Sequence, residues 1–148
     1  MHPDEVLHIM GMAKTLGLRV LEESPTHVLM EMPVTDALVQ PFGFLHGGAT
    51  ISLLESAASW AAALGTDFAT ERAFGSHIDV HHLNSVTGGL VRGSATLEST
   101  RDLGERGSKQ TWAVEAKDEQ GRTVSCGTIT TRTVSLEYLA AKRSAELS

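Results

Sequence analysis

The sequence predicts an α+β fold: a curled antiparallel sheet wrapped around one long central helix. Three observations carry this expectation. The run from Ala49 to Leu64 is rich in Ala, Leu and Ser, holds no Gly or Pro, and has only Thr50 and Ile51 as β-branched residues. That composition over that length reads as a buried helix. Four alternating, strand-like segments follow, joined by short turns. Finally, 148 residues suit a single domain with one core.

The elements follow in order. Residues 1–17 form an N-terminal helix: Val6, Leu7, Ile9, Met10, Ala13 and Leu16 recur at helical spacing over 4–16. Pro3-Asp4 suits its start and Gly17 its end. Two strands near 18–23 and 27–34 flank the turn Ser24-Pro25-Thr26. Residues 35–43 form a loop that contains Gln40-Pro41-Phe42-Gly43. The central helix spans 49–64, with Gly47-Gly48 at its entrance and Gly65 at its close. Strands follow near 72–84, 89–101, 107–118 and 122–134. Their turns are Thr87-Gly88-Gly89, Leu103-Gly104-Glu105 and Asp118-Glu119-Gln120-Gly121, the last with Gly where a left-handed residue is needed. Short turns between consecutive strands imply antiparallel neighbours. The tail, 136–148, reads as a short amphipathic helix or a frayed end.

Composition narrows the function. Hydrophobic residues make up 41% and charged residues 20%, as in ordinary globular proteins. A formal net charge of -6 argues against nucleic acid as a partner. No apolar run is long enough to cross a membrane. The acidic start, Met1-His2-Pro3-Asp4-Glu5, is unlike a signal peptide. Cys126 is the only cysteine, so no internal disulfide forms, and a cytoplasmic location is expected. Up to residue 71 the basic residues are only Lys14 and Arg19. A phosphorylated ligand would therefore find its cations in the second half of the chain.

The chemistry concentrates in residues 37–66, where Glu55 is the one formally charged side chain. Its helical neighbours Ile51, Ser52, Ala58 and Ser59 cannot neutralise it. It either lies on a single wet stripe or serves a reaction. His46-Gly47-Gly48 opens the same helix. Such a start is either a tight turn or a place where a ligand meets free backbone N–H groups at the positive end of the dipole. Gly47 and Glu55 are eight residues apart, or about 12 Å along one helix. An oxyanion donor and an attacking carboxylate must reach the same carbonyl. If both residues are catalytic, two antiparallel copies of the helix must meet about a two-fold axis, and the protein is at least a dimer.

The string Gln40-Pro41-Phe42-Gly43-Phe44-Leu45-His46-Gly47-Gly48-Ala49, followed by Glu55 and Ser59, closely resembles the hotdog-fold acyl-CoA thioesterases. The nearest branch contains the 4-hydroxybenzoyl-CoA and 1,4-dihydroxy-2-naphthoyl-CoA thioesterases. The resemblance implies hydrolysis of an acyl-CoA, by this branch an aryl-CoA, to free acid and coenzyme A. It makes Glu55 the nucleophile or general base and Gly47 the backbone donor to the thioester oxygen. Gln40 and His46 would line the site, Gly48 would contact substrate, and Ser59 would hold the hydrolytic water. The implied assembly is a homotetramer of two dimers, with no cofactor.

Alternation in His77-Ile78-Asp79-Val80-His81-His82 turns Ile78, Val80 and His82 to one face. His82 is expected inward, at the acyl group. His77, Asp79 and His81 share the other face but close no metal site, and no metal is expected. Relatives often carry Asn at positions 79 and 81. For the phosphates of coenzyme A, Arg101, Arg106 and Lys109 are the expected partners, with Arg72 and Arg92 behind them. Trp60 and Trp112 read as core or interface. Phe42, Phe44, Phe68 and Phe74 could favour an aromatic acyl group or belong to the core. The competing readings are a non-catalytic acyl-CoA-binding or regulatory protein on the same fold, and an enoyl-thioester hydratase.

Overall fold

The computed structural model describes residues 11–148. The first two turns expected of the N-terminal helix lie outside them. Helix α1 (Met12–Leu16) starts only after Gly11, whose φ 83 and ψ -166 are not helical, so the continuous helix expected over 4–16 is interrupted there; α1 ends as expected at Gly17. That residue adopts φ 69, and its N–H and that of Leu18 reach back to the carbonyls of Lys14 and Ala13. The remaining elements are β1 (Arg19–Ser24), β2 (His27–Pro33), α2 (Gly47–Leu64), β3 (Glu71–His82), β4 (Leu90–Asp102), a 3-10 turn at Gly104–Arg106, β5 (Ser108–Lys117), β6 (Thr123–Ser135) and α3 (Leu136–Leu147).

The six strands form one antiparallel sheet in the order β1-β2-β4-β5-β6-β3. The sheet curls around α2, which packs against all six strands. Bulges between Val20 and Glu22, Gly75 and His77, and Leu97 and Ser99 add bend and twist. Alternation places Val28, Met30, Met32, Val91, Trp112 and Ile129 on the concave face, all fully buried. Leu53 and Leu54 of α2 meet them and are also fully buried. Truncating either Leu to Ala costs about 2–5 kcal/mol at such a site.

The helix comes close to the sheet at Gly93, where an added Cβ would sit 2.6 Å from Leu53 Cγ. The two tryptophans are core residues with satisfied N–H groups: Trp112 donates to Thr131 Oγ1, and Trp60 to Glu23 Oε2.

Three further details differ from the sequence expectation. First, β3 does not pair with its sequence neighbour β4 but lies at the far edge, beside β6. Helix α2 carries the chain from β2 across the concave face, so β3 begins at the opposite rim. The 83–89 link, anchored by buried Val86, returns the chain to β2. Second, Gly47 and Gly48 form the first turn of α2 itself, with His46 as its cap. Third, Gly65 closes α2 at φ -86, without a left-handed conformation. At the last hairpin, Gly121 does take the expected positive φ, 79. The tail is helical as α3, with no buried residue.

Candidate active site

Residues 38–46 fold into a short hairpin that carries two candidate site residues, Gln40 and His46, and leads into the tip of α2. Val39 bridges Leu45, and Gln40 N donates to Phe44 O at 2.8 Å. His46 N donates to Leu38 O at 2.9 Å. The Gln40 side-chain oxygen accepts from Phe42 N at 2.6 Å, which fixes the side chain against its own turn. His46 Nδ1 accepts from Gly48 N at 2.8 Å. This side-chain cap takes up the Gly48 N–H, so Gly48 has no free amide for substrate. The N–H of Gly47, one residue earlier, has no acceptor among the described residues. It points outward at the positive end of an 18-residue helix.

His82, at the end of β3, lies on the same spot. An added Cβ on Gly47 would sit 2.6 Å from His82 Nε2, so the imidazole packs directly on the glycine. Its Nδ1 is hydrogen-bonded to the hydroxyl of buried Ser125 on β6 at 2.7 Å. His82 faces inward, as alternation predicts. Ser125 escaped sequence reasoning because nothing in the β6 pattern links it to a residue 43 positions earlier.

Glu55 lies two turns further along α2 and is half-buried. Together with Gly75, Ser76, His77 and Ile78 of β3 it lines a shallow, open cleft. Ser59 is one turn beyond it, also half-buried. Each chain thus holds two separate clusters. His46, Gly47 and His82 gather at the tip of α2, while Gln40 stands in the hairpin that precedes it, held to the turn at Phe42. Glu55 and Gly75 meet about 12 Å down the helix, with Ser59 one turn further on.

The basic residues divide into two groups. Arg101 and Lys109 are cross-strand partners on β4 and β5, and Arg106 lies in the turn between those strands. None of the three has a carboxylate within 4.0 Å among the described residues. Arg132 of β6 faces Lys109 and donates to the Arg106 carbonyl. Arg92 does not stand behind this group. It lies about 30 Å away along β4 and is bound to Glu31 at 3.0 Å. Arg72 donates to the carbonyls of Phe68 and Glu71.

The phenylalanines are not core: Phe42 is 85% exposed, Phe68 and Phe74 49%, and Phe44 40%. Cys126 is half-buried on the outer face of β6, opposite His81. No group of three or more His, Cys, Asp or Glu among the described residues is arranged for a metal. On the outer strand face, His81 Nε2 is 3.6 Å from Asp79 Oδ1, with both side chains exposed. A broad concavity also lies on the outer sheet face, lined by Leu29, Arg92, Ser94, Glu115 and Lys117 among others. Glu115 pairs there with Lys117, Arg92 with Glu31 and Asp118 with Arg122, and Glu119 also lines it.

Known proteins resemble this chain in sequence and in fold. A family model described as a domain of unknown function, DUF4442, matches residues 6–134. A 1,4-dihydroxy-2-naphthoyl-CoA hydrolase from Listeria monocytogenes is 36% identical over 110 residues, covering 74% of this chain and 85% of that protein. An Escherichia coli protein of the same name is 35% identical over 130 residues, covering 86% and 91%. Among solved structures, a thioesterase from Pseudomonas aeruginosa superposes with a TM-score of 0.79 at 26% identity, over 90% of this chain and 94% of that one.

Proposed function

The chain belongs to the hotdog-fold thioesterases and is a hydrolase of acyl-CoA thioesters; on that premise we propose that it cleaves an aryl-CoA, with Glu55 as the acting carboxylate and Gly47 as the oxyanion donor. The observation that carries the assignment is the free Gly47 N–H beside a Gly48 N–H already taken by His46. The thioester oxygen accepts from Gly47. Glu55 then attacks the carbonyl carbon, the tetrahedral oxyanion forms against the helix N-terminus, and its collapse expels the thiolate of coenzyme A. Water cleaves the resulting acyl-glutamyl anhydride to free acid and regenerates Glu55. In the general-base variant of this step, Glu55 takes the proton of a water that attacks directly. Gln40, His46, Gly48 and His82 line the carbonyl and acyl end, and Ser59 orients the water. The aryl preference rests on the names of the relatives.

The 12 Å between the two clusters is too far for one chain to act on one carbonyl. The working site is therefore composite: Glu55 of one subunit faces Gly47 of another across a two-fold axis. The long exposed edge strand β3, with Ile78 38% and Phe74 49% exposed, supports a homo-oligomer. We assign a dimer as the minimum and a tetramer as the complete assembly. Arg101, Arg106 and Lys109, which have no ion-pair partner among the described residues of a chain of net charge -6, are the proposed partners of the coenzyme A phosphates. The hydratase and non-catalytic binding readings find no observation in their favour.

The test is thiol release from a panel of aryl-CoA and fatty acyl-CoA substrates. Wild type is expected to turn over aryl-CoA fastest. Glu55→Gln, which keeps size and removes charge, is expected to lose at least about a hundredfold in kcat. Near-normal turnover in that variant would reject the assignment.

A further inference from the structure

Gly75 lies in the interior of β3, where glycine weakens a strand and contributes nothing to packing. Its backbone does not call for glycine, because its φ is not in the positive range. The space around it does. A Cβ built there would fall 2.0 Å from Glu55 Oε1, 2.9 Å from its Cδ and 3.2 Å from its Cγ. The three nearest atoms all belong to that one side chain. The neighbouring bulge between Gly75 and His77 widens the same cleft, and Ser76 Oγ ties the bulge to Thr130 O at 3.2 Å. Gly47 and His82 repeat the arrangement at the other end of the seam, with the glycine on α2 and the side chain on β3.

We propose that Gly75 is a positioning residue that seats the Glu55 carboxylate: the absent side chain on β3 leaves the space in which the acid is held in its reactive place. This rests on the reading of Glu55 as the acting carboxylate. A methyl group at 75 meets the far end of a flexible side chain, so the fold can accept it while the carboxylate must swing away. A displacement of about 1 Å at a reacting group can cost on the order of a hundredfold in rate. Binding of the thioester does not pass through this seat, so KM is expected to stay nearly constant.

The experiment pairs Gly75→Ala with changes at Glu55, using benzoyl-CoA as probe. In the wild-type background, Gly75→Ala is expected to lower kcat about a hundredfold with KM within about threefold. In the Glu55→Asp background the shorter acid is clear of the closest contact, the one at 2.0 Å, and the same substitution is expected to cost less than about tenfold. A second measurement needs no activity. Thermal midpoints of wild type, Gly75→Ala, Glu55→Ala and the double variant form a cycle. With the Glu side chain removed, Gly75→Ala is expected to lower the midpoint by about 2–6 °C less than it does in wild type. An equal loss in both backgrounds would show that the methyl meets something other than Glu55, and would overturn the proposal. Retained turnover in Glu55→Ala would instead reject the reading of the active site and leave the seat to be judged by the thermal cycle alone.

Discussion

At the residue scale, the visibility of a site residue in the sequence depended on how far it departs from its surroundings. Glu55 stands out because residues 37–66 hold no other charge. His82 was legible because strand alternation fixes its face. Gly75 was not, since a glycine inside a strand pattern signals close approach without naming what approaches. Ser125 was invisible because its partner is remote in sequence. His46 was legible as a neighbour of the glycines, but its capping role required coordinates. That role yields a prediction. His46→Ala removes the cap on the Gly48 N–H and is expected to cost about 1 kcal/mol, or roughly 2–4 °C in thermal midpoint. An unchanged midpoint would mean that the Nδ1 contact contributes nothing to the helix start.

At the element scale, the bounds of the six strands and of α2 lie within two residues of the expected ones, because period and turn chemistry are local properties. Strand order was not, since it depends on where a helix sets the chain down. The outer face of β1, β2 and β4 carries a feature that only this order creates. Glu31, buried on β2, accepts from Arg19 on β1 at 2.6 Å and from Arg92 on β4 at 3.0 Å. The hydrogen bond from Arg92, the largest influence, and that from Arg19 hold the Glu31 carboxyl below its ordinary value against the opposing effect of burial. A depressed folded-state pKa contributes stability that is present above the ordinary value of 4.5 and lost as pH falls through the lower folded value. Thermal midpoints of wild type and Glu31→Gln should therefore differ most near neutral pH and converge as pH falls below that value. A gap independent of pH would contradict the role of the Arg19–Glu31–Arg92 cluster.

At the scale of the whole molecule, the sequence foretold a sheet curled around a helix, and the fold and the relatives agree with it. Whole-molecule placement is where the aromatic residues were hardest to read. Phe42, Phe44, Phe68 and Phe74 have core chemistry, yet a single chain leaves all four exposed, on loops and on the outer face of an edge strand. The basic residues were half legible. Arg101, Arg106 and Lys109 do gather at one hairpin, whereas Arg92 is drawn to Glu31 at the other end of β4. The separation of Glu55 from Gly47 remains the feature that no single chain can resolve.

The proposed composite site is tested most directly by subunit complementation. Glu55→Gln and Gly47→Ala chains, each nearly inactive alone, are mixed one to one under conditions that exchange subunits. If each site takes its acid from one subunit and its amide from another, half of the dimers are hybrids that carry one intact site and one doubly damaged site. Activity should then recover to roughly a quarter of wild type. A mixture that stays as inactive as its two parents would contradict the shared site.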